Sequence, residues 1–402
     1  MTVQPERSYV AESDRVETRL LHAGSPPFED GLAPVNVPVV RTSTVRFARS
    51  ADRESATQRR HDGEKIATYG RHGMATHRAL EAALAELEEA HDVLLAPSGL
   101  SAISLTFLAL LSPGDHVLVQ SSVYGPVREK IEPLLSRLGV SFGYFDASQG
   151  LPLAQWRDDT RLVYAESPGS LLFETIDVPA LARATHERGA LLAVDNTWSA
   201  GLLHRPLTLG ADMSIQATTK YAGGHSDLMQ GAVATRDTAL AHRLRDTHDA
   251  LGLSIGADDA YLALRGIRTL PVRLAQHAHN ALAVAGYLAN GFAVARVFHP
   301  AWPGDPGHAL WQRDFSGSNG LVSFALRGDE AQAAAFVDAL RLFSIGASWG
   351  GYESLALIAP ASRLREQHYW RGAEPVVRLH VGLESSDALI ADLDQAFQRV
   401  LR

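Results

Sequence analysis

The sequence predicts an α/β fold, with a large mostly parallel sheet domain, a smaller C-terminal α/β domain and an N-terminal arm. Three observations predict it. Short apolar runs at residues 93–96, 116–120, 142–146, 162–165, 191–194, 213–216 and 231–235 alternate with helix-length stretches such as 126–138 and 178–188. That rhythm calls for a sheet covered by helices on both faces. A Pro/Gly-rich passage at 299–307 precedes a second set, with strands expected at 321–326 and 376–380 and helices near 331–340 and 386–400. Residues 1 to about 70 show no sustained period and carry Gly24, Pro26, Pro27, Pro34 and Pro38.

The elements follow in order. The arm, residues 1–73, either wraps its own domain or reaches a neighbouring subunit. At 76–89 the apolar positions Leu80, Ala83, Leu84 and Leu87 fall at helical spacing. The strand runs then carry the large domain to residue 266. Residues 258–290 read as long helix, with Leu262, Leu264, Ile267, Leu270 and Leu274 roughly periodic. The C-terminal domain spans 267–402.

Composition narrows the function. Hydrophobic residues make up 46% and charged residues 20%, as in ordinary globular chains. A net charge of −8 argues against nucleic acid, whose phosphates are bound by clustered Lys and Arg. With no cysteine, disulfides, thiolate metal sites and cysteine nucleophiles drop out. The first 20 residues lack a signal-like apolar core, and the run at 100–111 is too short to span a bilayer. A soluble cytoplasmic protein is expected, with no membrane partner.

In open parallel sheets, ligands sit in the crevice beyond the carboxyl ends of the strands. Just past the expected strands come Ser98–Gly99, Tyr124, Ser167, Asp195–Asn196 and Thr218–Thr219–Lys220, so all are expected to face one crevice. Only Lys65, Lys130 and Lys220 are lysines. One held at a strand end among threonines and glycines suits Schiff-base formation, because crowding lowers its pKa. A surface lysine that merely ends a strand is the plain alternative.

Asp195, directly after an apolar run, can keep a pyridinium nitrogen protonated or simply cap a turn. Gly99 lies at a strand–helix junction whose free N–H groups suit a phosphate. Tyr124 can stack on an aromatic ring or simply pack. Arg378, inside an apolar run, can bind a carboxylate with two hydrogen bonds or sit in a structural ion pair. His72 and His77 lack a metal-ligand pattern, and His204, His225 and His380 read as structural; no metal is expected.

The stretch 216–227, Gln-Ala-Thr-Thr-Lys-Tyr-Ala-Gly-Gly-His-Ser-Asp, resembles the Cys/Met-metabolism family of pyridoxal-phosphate (PLP) enzymes, and the likeness runs from Thr18 to the C-terminus. The stretches 166–170, 194–201 and 347–355 are similar to its bacterial β-eliminating branch. Trp349 stands where many γ-acting relatives carry a smaller residue.

The resemblance implies a fold-type I, aminotransferase-like architecture with a PLP-binding domain at 74–266. Lys220 would carry the cofactor and move the proton, Asp195 would pair with the ring nitrogen and Tyr124 would stack on the ring. The backbone at Gly99 and Leu100 and the Thr219 hydroxyl would hold the phosphate. Tyr69 and Arg71 would reach the phosphate or substrate of an adjacent subunit, making a homo-oligomer, a dimer of dimers, the expected assembly. Arg378 and Ser348 would bind the substrate carboxylate, with Trp349 lining the pocket.

The implied reaction is β-elimination from a thioether amino acid, L-cystathionine foremost, with Lys220 or Tyr124 protonating the departing sulfur. A broader β-lyase acting on cysteine or its S-conjugates stands beside it, then a γ-acting enzyme, then a non-catalytic PLP-binding regulator. Two positions depart from the pattern: Ala217 where a serine is common, and His248 where a tyrosine is expected near the substrate.

Overall fold

The computed structural model describes residues 15–147, 150, 153–367 and 369–400, so residues 1–14 of the arm lie outside the described residues. The rest of the arm contains two helices, α1 (Val16–His22) and α2 (Ser50–His61), in a stretch whose sequence shows no sustained period. Each buries a single residue, Leu20 or Ala56, so there is no apolar stripe to detect. Ion pairs help to hold α2, among them Arg60 with Asp249 and Arg59 with Glu64.

The next helix, α3 (Ala75–Glu88), buries Leu80, Ala83, Leu84 and Leu87 completely, as its spacing predicts. Full burial of such a leucine is worth roughly 1.5–3 kcal/mol. Met74 starts the helix by donating its N–H to His77 Nδ1 at 3.1 Å, and left-handed Glu89 (φ 50°) ends it. The chain continues through β1 (Asp92–Ala96), α4 (Gly99–Leu110) and β2 (His116–Gln120). A π-helical turn, Val127–Ile131, then leads into the short α5 (Glu132–Ser136). The helix expected at 126–138 is thus present and continuous, with a widened π turn ahead of Pro133, which has no N–H to donate.

After β3 (Ser141–Phe145), β4 (Thr160–Glu166), α6 (Val178–His186), β5 (Leu191–Asp195), β6 (Met213–Gln216) and β7 (Gly231–Thr235), the large sheet is complete. Its order is β1-β7-β6-β5-β4-β2-β3. The pairs β6–β5, β5–β4, β4–β2 and β2–β3 are parallel, while β7 runs antiparallel to both β6 and β1. Both faces are covered. Leu118, Val163 and Val194 pack on one side, and Val119, Leu162 and Ala193 on the other. This two-sided burial is why the strands read as unbroken apolar runs.

The chain then passes through α7 (Thr238–Leu251), α8 (Ala257–Arg268) and α9 (Leu270–Ala289). The expected long helix at 258–290 is two helices, interrupted at Thr269 because Pro271 opens the second.

The smaller sheet begins before the Pro/Gly-rich passage rather than after it, with β8 (Val294–Phe298). Beyond lie α10 (His308–Asp314), β9 (Leu321–Leu326), α11 (Glu330–Ala339), β10 (Ser344–Ile345), β11 (Leu355–Ile358), α12 (Ala361–Glu366), β12 (Val376–His380) and α13 (Ser386–Val400). The order is β10-β11-β12-β9-β8, which places Arg378 on the central strand. β10 and β11 are too short for a period to register. Among the described residues no helix is long and apolar enough to cross a membrane.

Candidate active site

The carboxyl ends of β4, β5 and β6 deliver the central residues. Asp195 closes β5 and is 5% exposed. Its Oδ1 accepts from the N–H and hydroxyl of Thr197, and its Oδ2 accepts from Tyr164 Oη at 3.1 Å. Burial raises its pKa, the donors from Thr197 and Tyr164 oppose that, and no cation contributes. A buried carboxylate with hydrogen bonds but no countercharge suits a protonated ring nitrogen.

Lys220 lies in the connection that turns from β6 back into antiparallel β7. Its Nζ donates to Ser348 Oγ at 2.8 Å and lies 5.3 Å from the centre of the Trp349 ring. Burial, then the charge of Arg378, pulls the amine down to about 8. The residue is half-buried, so the amine stands at the crevice and is partly free base near neutral pH.

Arg378 is 8% exposed. Its Nη2 donates to the carbonyls of Ala347 and Ser348 at 2.9 and 3.1 Å, while Nε is buried without a partner. Burial lowers its pKa to about 10. It takes part in no ion pair among the described residues, which removes the structural-pair alternative and leaves a donor free for a carboxylate. Ser348 is thus shared, its hydroxyl held by Lys220 and its carbonyl by Arg378. Trp349 packs against the Tyr221 ring, with centroids 5.4 Å apart.

At the start of α4, Ser98 caps the helix by accepting from Ser101 N–H at 3.1 Å. The N–H groups of Gly99 and Leu100 have no acceptor within the helix, as at any helix N-terminus. A Cβ on Gly99 would lie 2.6 Å from that of Ala217, so glycine is what lets the helix end approach the Lys220 segment. Ala217 therefore fits this junction. The Thr219 hydroxyl is turned away, donating to Gln230 O at 3.0 Å and accepting from Gln230 N–H at 2.8 Å. Donating to a phosphate would require it to give up its bond to Gln230 O.

Tyr124 follows β2 and is 45% exposed. Its N–H is bonded to Glu166, and its phenol is raised by burial, then by Glu166 and Asp195, keeping the proton on.

Ser167, Asn196 and Thr218 do not face the crevice as expected. Each is fully buried and turned to the protein: Ser167 to Ile176 N–H, Asn196 to Glu88 and Thr218 to Gln230. All three lie just past their strands, where the chain turns and each side chain satisfies a buried partner of its own.

Tyr69 and Arg71 are not brought to Lys220 within one chain. They line a cleft with Thr44, Arg60 and Asp249, where Arg71 donates to Asp249 O at 3.4 Å. His248 belongs to that quarter as well. It donates from Nε2 to Leu95 O at 2.8 Å and is not among the neighbours of Lys220, contrary to a place in the same chain's substrate pocket.

The remaining histidines serve the scaffold. His72 pairs with Thr68 Oγ1, His77 bonds Ile255 O, His225 bonds Gly223 O, His204 stacks on Phe315, and His380 joins Glu353 O to Gly350 N–H. No group of three potential metal ligands occurs among the described residues.

Sequence reasoning missed Tyr164, Glu88 and the carboxylate role of Glu166. Glu166 carried a signal, since it ends β4 as Asp195 ends β5. Glu88 carried none, because its partners lie over 100 residues away.

Comparison with known proteins gives a consistent result. Residues 17–398 match the family model described as Cys/Met metabolism PLP-dependent enzyme. The chain is 55% identical to cystathionine beta-lyase of Bordetella avium, covering 96% of this chain and 98% of that one. It is 40% identical to cystathionine beta-lyase MetC of Escherichia coli (strain K12), over 96% of this chain and 99% of the other. Among solved structures, cystathionine gamma synthase from Xanthomonas oryzae pv. oryzae superposes with a TM-score of 0.86 at 33% identity, covering 97% of this chain and 99% of that chain.

Proposed function

The chain belongs to the Cys/Met metabolism family of PLP-dependent enzymes, and from that premise we propose that it cleaves L-cystathionine by β-elimination to homocysteine, pyruvate and ammonia. The observation that carries the reading is the pair of contacts that Lys220 and Arg378 make to Ser348, together with a buried Asp195 that lacks a cation. The choice of a β-lyase over a γ-acting enzyme is supported by the identity to the Bordetella avium protein and by the bulk of Trp349.

Pyridoxal phosphate fits the residues present: an amine at the crevice, a buried uncompensated carboxylate, free N–H groups at the start of α4 and a ring-sized aromatic in Tyr124. When bound, it supplies an electron sink for negative charge at the substrate Cα. Lys220 would hold it, Asp195 would keep the ring nitrogen protonated, and Gly99, Leu100 and Thr219 would take the phosphate. Arg378, with Nε free, would orient the substrate carboxylate together with Ser348. The Lys220 amine, about 8, is partly free base near neutral pH and would take the Cα proton. The same group, or the neutral phenol of Tyr124, would return a proton to the departing sulfur. Trp349 would wall the pocket and exclude water.

Because Tyr69 and Arg71 lie away from Lys220 in one chain, their service to the site would come from a second copy. A homo-oligomer, a dimer of dimers, is therefore part of the proposal, as is a cytoplasmic location.

The test is keto-acid release from L-cystathionine by the purified holoenzyme, with Lys220→Ala as control. Pyruvate from wild type alone supports the reading. 2-Oxobutyrate would move it to γ-elimination, and faster release from cysteine or S-alkylcysteine would move it to a broader β-lyase. A lysine-linked absorption band with no product from any thioether would leave a PLP-binding protein without this activity.

A further inference from the structure

Behind the crevice lies a carboxylate that none of these roles uses. Glu88, the last residue of α3, is 1% exposed. Asn196 Nδ2 donates to its two oxygens at 3.3 and 3.2 Å, Ser214 Oγ donates at 2.8 Å and Gln216 Nε2 at 2.9 Å. Asn196 directly follows Asp195 at the end of β5. Ser214 and Gln216 belong to β6, whose end runs into Lys220.

We propose that Glu88 is a positioning residue for the cofactor site: it clamps the end of β5 to β6 and so sets Asp195 against Lys220. The inference rests on the reading of those two residues given above.

Three arguments favour the clamp over a filler role. Two side chains of β6 and one from the residue after β5 converge on one carboxylate, Asn196 next to Asp195 and Gln216 four positions before Lys220. A carboxylate at a helix C-terminus opposes the helix dipole, and burying it adds a desolvation cost, so an amide would serve better if only space were to be filled. The turn after Asp195 also closes tightly on it, since a Cβ on Gly201 would sit 3.0 Å from Glu88 Oε1.

The surroundings set when Glu88 is charged. Burial pushes it up to about 7; Ser214, Asn196 and Arg205 oppose that rise, and Asp195 adds to it. From the turn after β5, Arg205 also pairs with Glu89, and His204 reaches Asn196 from its other side. β6 contributes only the neutral Ser214 and Gln216. Near neutral pH the clamp therefore gains or loses an anion close behind Asp195.

The experiment compares wild type, Glu88→Gln and Glu88→Ala as holoenzymes. It follows the pH titration of the bound cofactor's absorption, cofactor dissociation and the Tm of the cofactor-free forms. Glutamine keeps the volume, and Gln216, whose Oε1 is buried without a partner, can turn its amide to accept from it. Glu88→Gln should lower the titration midpoint by about one unit, the order expected for removing a nearby anion at moderate effective dielectric. Glu88→Ala should also release cofactor about tenfold faster, with kcat falling more than KM changes, because losing buried hydrogen bonds to a charged group is worth this order.

Ser214→Ala, which removes one donor with little volume, should shift the midpoint in the same direction and serves if Glu88→Gln fails to fold. A lowered Tm with unchanged midpoint and dissociation would overturn the clamp and leave Glu88 a packing residue. A wild-type protein with no lysine-linked band would overturn the reading of the site itself, and the clamp with it.

Discussion

Glu166 and Asp195 stand in register across the β4–β5 pair, two carboxylates side by side at the ends of adjacent parallel strands. Two such groups cannot both ionise at low cost. Glu166 is pushed well above the usual carboxylate range by burial and then by the charge of Asp195. Asp195 is raised too, but the donors of Thr197 and Tyr164 favour its anion. The proton therefore rests on Glu166, and Asp195 faces the crevice as the anion.

Neutralising each carboxylate should then have unequal effects. Glu166→Gln replaces a neutral acid by a neutral amide, and kcat/KM should fall by no more than about threefold, less than one net hydrogen bond. Asp195→Asn removes a preorganised charge and should lower it by about 100-fold or more. Steady-state pyruvate release at neutral pH decides. Equal losses would mean that the charge sits on both.

Activity should rise with pH on the acid side. The Lys220 pKa is depressed from 10.5 to about 8, so the amine is mostly protonated well below 8 and becomes a base as pH rises through it. The sign for stability is the same. The folded cofactor-free protein binds this proton less tightly than the unfolded chain, so the penalty of the buried cation is full below about 8 and relieved between there and 10.5. Lys220→Met should raise the Tm of the cofactor-free form at neutral pH, and the gain should fade at high pH. A gain that does not depend on pH would assign it to packing instead.

Arg378→Lys should be nearly as damaging as Arg378→Ala. A lysine cannot reproduce the two donations to Ala347 and Ser348 together with a free Nε. Losing a buried, hydrogen-bonded charge partner costs about 2–5 kcal/mol, so kcat/KM should drop by about 100-fold. Rescue by lysine to within a few-fold of wild type would show that only the charge is needed.

Arg71→Ala and Lys220→Ala, each inactive alone, should complement each other when mixed and reassembled. If each site takes Arg71 from one copy and Lys220 from another, random pairing leaves half of the dimers hybrid with one intact site each, and activity returns to about a quarter of wild type. No recovery despite verified subunit exchange would place both residues in one chain's site and require a large rearrangement of the Tyr69–Arg71 segment.

Much of this protein was legible in its sequence because burial leaves a local, periodic trace. All seven runs of the large sheet became strands within two residues, and Lys220 and Asp195 stood out because each follows such a run. The resemblance carried by residues 216–227 pointed to pyridoxal phosphate on the same lysine. Tertiary structure alone decided the rest. It reversed β7, split residues 258–290 at Thr269, and turned Ser167, Asn196 and Thr218 away from the crevice while leaving Asp195 in it. It also put Glu88 against Ser214 and Gln216, and Ser348 between Lys220 and Arg378. Periodicity records whether a position is buried, and neighbours three or four residues apart share that fact. Which distant side chain meets it depends on strand order and on the direction of each Cβ, and these are settled only when the sheets assemble.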